Sequence, residues 1–207
     1  MTRIYLEAGP KKVFACSLDW PGWCRIAKGE EAAIDRLMEY VPRYGAIAAR
    51  AGLAFEPGDP VVVARVAGSD MTDFGVPYEV PELDLEPFDE ATARREVTLM
   101  RAAWEMFDEV AAGSPEDLRK GPRGGGRDLT KIVHHVEDSE RAYARKIDVR
   151  HRPFRSREDR EAMRAELAEV LSRAWQPPPT TGWPPSYARR RVIWHVIDHL
   201  WEIEDRR

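Results

Sequence analysis

Alternation of apolar and polar positions opens the chain. From Lys11 to Leu18, Val13, Ala15 and Ser17 alternate with Phe14, Cys16 and Leu18, the period of a strand. Ile4 to Leu6 is its expected partner across a turn at Gly9-Pro10, and Cys24 to Ala27 follows the turn cluster Asp19-Trp20-Pro21-Gly22-Trp23 as a third strand. The period then changes. Between Glu30 and Arg50, Ile34, Leu37, Met38, Val41 and Tyr44 fall on one helical stripe, which Pro42 should kink or divide. Val61 to Val66 reads as a strand again. The order strand-strand-strand-helix-strand predicts a small α+β layer. From Ala67 to Phe88 the chain is rich in Gly, Pro and acid and reads as a connection, within which Val76 to Val80 is a candidate edge strand.

Beyond Phe88 the period is helical throughout. Val97, Met100, Trp104, Phe107 and Ala111 mark a helix over Asp89–Ala112, stopped by Gly113-Ser114-Pro115. Leu129, Ile132, Val136, Tyr143 and Ile147 mark a second over Asp128–Val149. A third starts at Ser156-Arg157-Glu158-Asp159, which has the form of a capping box, and continues through Met163, Leu167, Val170 and Ala174. The proline-rich run from Gln176 to Pro185 breaks the chain, and Ser186 is the expected cap of the last helix. That helix carries Trp194 and Trp201, which with Trp183 form a wall suited to covering a neighbouring domain or partner. The fold class is therefore α+β in two domains, 1–75 and 89–207, joined by a linker at 76–88.

Composition narrows the classes. In 207 residues, 43% hydrophobic and 33% charged, no apolar run approaches the roughly 20 residues of a membrane span. The start, with Glu7 and no long apolar core, does not read as a signal peptide, so none is expected. Cys16 and Cys24 form neither a disulfide framework nor a CxxC pair, so free thiols in a reducing cytoplasm are the expectation. The net charge of -4 is uneven: residues 1–87 hold 9 Lys/Arg against 14 Asp/Glu, and residues 88–207 hold 23 against 22. An acidic front half is a poor nucleic-acid surface. The glycines and arginines of 121–127 match no P-loop, and the cations around His151 read as a solvated patch.

The candidate chemistry lies in the last helix, Arg191–Ile203. His195 and His199 are four residues apart, which stacks both imidazoles on one helix face. With Val192, Val196, Leu200 and Ile203 on the core stripe, His195, His199 and Glu202 form a polar seam at its edge. Such a pair either grips one divalent metal between facing helices or sits at a core edge, bonded to backbone or carboxylates. On the second helix, His135 lies about 100° from the stripe centre and His134 about 160°, so His135 reaches a seam and His134 faces solvent. Val196 follows His195, so the HExxH glutamate base is missing, and no Ser-His-Asp set is legible.

Two stretches resemble known families. The run Phe14 to Trp23, followed by Gly29-Glu30-Glu31-Ala32 and its helix, is similar to HicB-type antitoxin domains over about the first 70 residues. That resemblance implies the small α/β fold. For function it implies docking of a toxin-like ribonuclease, against which an accessory domain that packs on the bundle or makes a homodimer is the favoured reading. Ile132 to Arg141, with His135, and Trp194-His195-Val196-Ile197-Asp198-His199 resemble the two motifs of the DinB/YfiT-like superfamily. These are up-down-down-up four-helix bundles that include bacillithiol- and mycothiol-dependent transferases. Carried over, the metal ligands are His135, His195 and His199, with Asp198 and Glu202 as candidates to orient the rings. Three imidazoles leave an open position, which suits zinc or nickel. The function so implied is metal-dependent transfer with a low-molecular-weight thiol onto a small-molecule substrate. The alternative is a non-catalytic protein whose HicB-like domain recognises a protein partner.

Overall fold

The structure is a computed structural model that describes residues 1–121, 126–176 and 182–207. It mixes a four-stranded sheet with helices and divides into two compact units, Met1–Glu86 and Pro87–Arg207. Among the described residues no helix is long and apolar enough to cross a membrane.

The first unit holds strands β1 (Thr2–Ala8), β2 (Val13–Ser17), β3 (Cys24–Ala27) and β4 (Pro60–Ala67), in the sheet order β3-β2-β1-β4. The two hairpin pairs are antiparallel, with Leu6 opposite Ala15 and Cys16 opposite Cys24. β4 joins β1 in parallel after the crossover, with Ile4 opposite Val62. The predicted helix is divided as its proline requires, into α1 (Glu30–Glu39) and α2 (Val41–Arg50). Pro42 lies in the first turn of α2, where its missing N–H has no helical partner to lose. α1 packs on β2 and β3. Trp23 is fully buried and anchors the core. Its Nε1 donates to Leu37 O at 3.1 Å, and its ring stacks on Tyr44 with centroids 5.7 Å apart. The Tyr44 hydroxyl in turn donates to Pro21 O at 2.8 Å, which pins the turn before β3 to α2.

The expected edge strand at Val76–Val80 is not formed. After a short helix, α3 (Asp70–Phe74), the backbone N–H groups of Tyr78 and Glu79 donate to the buried carboxylate of Glu7, at 3.1 and 3.0 Å. Donors spent on a side chain cannot join a ladder. Thr72 Oγ1 completes the shell of Glu7 at 2.6 Å. Burial nonetheless pushes the Glu7 pKa above the usual carboxylate range. Residues 76–86 thus group with the first unit.

The second unit contains α4 (Glu90–Ala112), α5 (Leu129–Ala144), α6 (Arg157–Leu171) and α7 (Pro185–Arg206). α7 packs on α4 and α5, and α6 packs on the same two helices. The capping box of α6 forms in part: Ser156 Oγ accepts from Asp159 N, and the Asp159 carboxylate reaches back to Arg155 N at 2.8 Å. Three expectations are corrected. α5 stops at Ala144, passes through a 3-10 turn and ends at Asp148, whose φ of 64° is left-handed. Ser186 does not cap α7; it lies inside the first turn, and Pro184 takes the cap position without a side-chain bond. The buried stripe of α5 is Ile132, Val136, Glu140 and Ala144, so a carboxylate stands where Tyr143 was expected.

That carboxylate is matched. Arg164 of α6 grips Glu140 with Nε at 3.1 Å and a second nitrogen at 3.2 Å. Arg164 also reaches Asp108 of α4 at 3.0 Å, so one guanidinium ties three helices together. The ends are tied as well. Phe88 and Trp175 exchange backbone hydrogen bonds at 3.2 and 3.1 Å and stack their rings. Arg119 N donates to Arg206 O at 2.7 Å, which holds the loop after α4 to the end of α7. The gly-rich loop reading at 121–127 falls mostly outside the described residues.

Candidate metal centre

α7 is buried on nearly all sides, from Tyr187 to Ile203 and again at Arg206. The only half-exposed positions in its second half are Asp198, Glu202 and Glu204, apart from exposed Asp205. Into this buried setting the helix places His195 and His199, 6% and 8% exposed. α5 packs against it, and on α5 the neighbours Ile132 and Val136 are buried while His135 sits at the edge of their stripe. The consequence is convergence. His135, His195 and His199 each offer a nitrogen within 4.8 Å of the others. Ring centroids lie 5.0, 4.9 and 4.6 Å apart, with the planes steeply tilted to one another.

Two of these rings, His135 and His195, are favoured in the form a metal needs. Burial lowers the His135 pKa to about 4, helped by the charges of His199 and Arg127. Burial also holds His195 well below its ordinary value, with His199, His135 and Arg191 acting in the same direction. Neutral imidazole is the ligand form. The Nε2 atoms of His195 and His135 are 3.2 Å apart. Two nitrogens bound at about 2.0–2.1 Å to one tetrahedral ion would stand about 3.3 Å apart, so the spacing fits a shared ion.

The tautomer of His199 is set by Glu202. Nδ1 of His199 lies 2.7 Å from Glu202 Oε2, and Arg206 donates to the other carboxylate oxygen at 2.7 Å. Burial works against the Glu202 carboxylate, but His199 and Arg206 outweigh it and hold its pKa below the usual range. A carboxylate on Nδ1–H leaves Nε2 of His199 as the free lone pair, the arrangement found behind metal-binding histidines. His195 differs: its Nδ1 is buried without a hydrogen-bond partner among the described residues. The donor set therefore fits a divalent transition metal through three imidazoles, with one ring fixed by a carboxylate.

Of the other histidines, His134 is exposed, and His151 pairs with Glu166 at 2.7 Å. Asp198 is half-buried on α7, and the bond to His199 comes from Glu202. The sequence reading missed the aromatic and cationic wall beside His195. Tyr143 meets the His195 ring edge-on at 5.5 Å, and Trp183 lies 5.2 Å from Tyr143. Trp194 is buried rather than exposed, at 6.0 Å from His195. Arg191, one turn before His195, lies over both Tyr143 and Trp194. The legible signal was its spacing: Arg191, His195 and His199 follow one another at four-residue steps.

Comparison with protein families, with curated proteins and with solved structures finds no match for this chain.

Proposed function

We propose that this protein is a metal-dependent enzyme, with the second unit a DinB-like up-down-down-up bundle and the first a HicB-like domain. Its activity on this reading is transfer of a low-molecular-weight thiol to or from a small-molecule substrate. The observation that carries the reading is the convergence of His135, His195 and His199 with Glu202 behind His199. A bound zinc or nickel ion would supply a Lewis acid that lowers a thiol pKa and favours thiolate at neutral pH. The protein's own contribution is threefold. Burial favours the neutral form of His135 and His195, Glu202 fixes the His199 ring, and the packing of α5 on α7 brings the three rings together.

Elemental analysis of the natively purified chain tests this, with His135→Ala and His199→Ala as controls. About one transition metal per chain is expected, lost in both variants. A wild-type chain that stays metal-free under saturating zinc or nickel would return the histidines to core-edge residues. The protein would then be read as a binding protein.

A further inference from the structure

The turn that ends α5 gathers a second set of charged side chains. Val149 N donates to Ala144 O at 3.0 Å and Asp148 N to Arg145 O at 3.3 Å. Asp148 is left-handed and Val149 is buried, which completes the closing pattern of a helix and redirects the chain sharply. Arg150, His151 and Arg152 then line a cavity of about 510 Å³ together with Arg145, which precedes the turn. A second cavity of about 280 Å³ shares His151 and Arg152 and continues past Phe154 to Arg155. The larger volume is that of a small-ligand site, roughly 300–1,000 Å³. Arg145 follows His135 by ten residues, about 15 Å along a helix axis, so this cleft is separate from the metal centre.

The guanidinium groups here are poorly matched within the chain. Among the described residues, the side chains of Arg145, Arg152 and Arg155 are exposed and pair with no carboxylate. Arg150 reaches Asp148 at 3.1 Å, but the two side chains are 76% and 80% exposed, so the pair is weak. Glu166 is turned to His151 at 2.7 Å, and Asp159 accepts from Arg155 N at 2.8 Å. A solvated patch accounts for the exposure of these arginines but not for their arrangement around one cavity. Planar guanidinium forks match phosphate oxygens two N–H groups at a time. A single phosphate carries about -1.5 to -2 charges, and three arginines line the larger cavity, so a diphosphate balances them more closely.

We infer that this cleft binds a small ligand through a diphosphate group, held by Arg145, Arg150 and Arg152. The smaller cavity, with Phe154, lies where an organic group attached to that diphosphate would extend. The inference is independent of the metal reading and stands or falls without it.

Titration calorimetry on the full chain at about 50 mM salt, where screening is modest, tests it. The probes are inorganic pyrophosphate, sulfate, uridine diphosphate and an oligouridylate of about ten nucleotides. Pyrophosphate is expected to bind at one site per chain, about tenfold or more tightly than sulfate. Arg145→Gln and Arg152→Gln, both at exposed positions, should each weaken it about fivefold or more, and Arg152→Lys should retain part of the affinity. Lys28→Gln removes an exposed charge of the first unit that lines neither cavity, and should leave binding unchanged. Tighter binding of uridine diphosphate than of pyrophosphate assigns the cleft to an organic diphosphate, and equal binding assigns it to the free anion. Pyrophosphate bound no better than sulfate overturns the inference. So does a Lys28→Gln loss as large as that of Arg145→Gln, which would make net charge the whole effect. An oligouridylate that binds more tightly than both diphosphates, and is lost in the same arginine variants, overturns it in favour of a nucleic-acid surface.

Discussion

His199 and Glu202 stand three residues apart on α7, and Nδ1 of the one lies 2.7 Å from Oε2 of the other. The carboxylate orients the ring and makes its other nitrogen a better donor. Replacing it with an amide keeps the shape and removes the charge. Glu202→Gln is expected to weaken metal binding by about 10- to 100-fold, with the fold intact. Chelator competition on the purified variant measures this. An unchanged affinity would show that Glu202 serves Arg206 and not the centre.

The neutral histidines predict a pH dependence of the metal-free chain. His135 is held at about 4 in the folded state, against about 6.5 unfolded, and His195 is lowered in the same sense. The unfolded chain then binds more protons than the folded one between those values. The stability they contribute is full above pH about 6.5 and is lost as pH falls toward about 4. Thermal unfolding in the presence of a chelator should show this decline. In the His135→Gln, His195→Gln double variant the slope over that window should be shallower. An identical slope would mean the rings are not held neutral.

The HxxxH pair and His135 were legible because helical spacing alone sets which side chains share a face, and both segments are helical, although α5 ends at Ala144 and buries Glu140 in its stripe. Glu202 followed from the same wheel. Glu140 was not legible, since a carboxylate scores as polar until Arg164, 24 residues later, arrives to meet it. Val76–Val80 failed for a similar reason: its backbone donors go to Glu7, 71 and 72 residues upstream. The division at Pro42, by contrast, is a local steric rule and appeared where the proline placed it. Local periodicity reads well, and partners supplied from far along the chain do not.

The Glu140–Arg164 pair gives a stability prediction that is separate from the metal. Both groups are buried, so removing one strands the other. Glu140→Ala is expected to cost about 3 kcal/mol, at the lower end for a buried pair because Asp108 still reaches Arg164. Replacing both residues, as Glu140→Leu with Arg164→Met, should recover most of that loss. Urea unfolding of Glu140→Leu, Arg164→Met and the double variant closes the cycle, with Glu140→Ala measured beside them. If Glu140→Ala alone costs nothing, the pair is not desolvated.

In the first unit the decisive bond is the one from the Tyr44 hydroxyl to Pro21 O at 2.8 Å. Tyr44 is fully buried between Trp23, Trp20 and Phe55, so its ring packing does not depend on the hydroxyl. Tyr44→Phe keeps the packing and leaves a buried carbonyl unmatched, at a cost of about 1–2 kcal/mol. Tyr44→Ala also opens a cavity among the aromatic rings and should cost about 3–5 kcal/mol, as large aromatic truncations do. The ratio of the two separates the bond from the packing. Near-equal losses would mean that the turn at Pro21, rather than the ring cluster, holds α2 to the sheet.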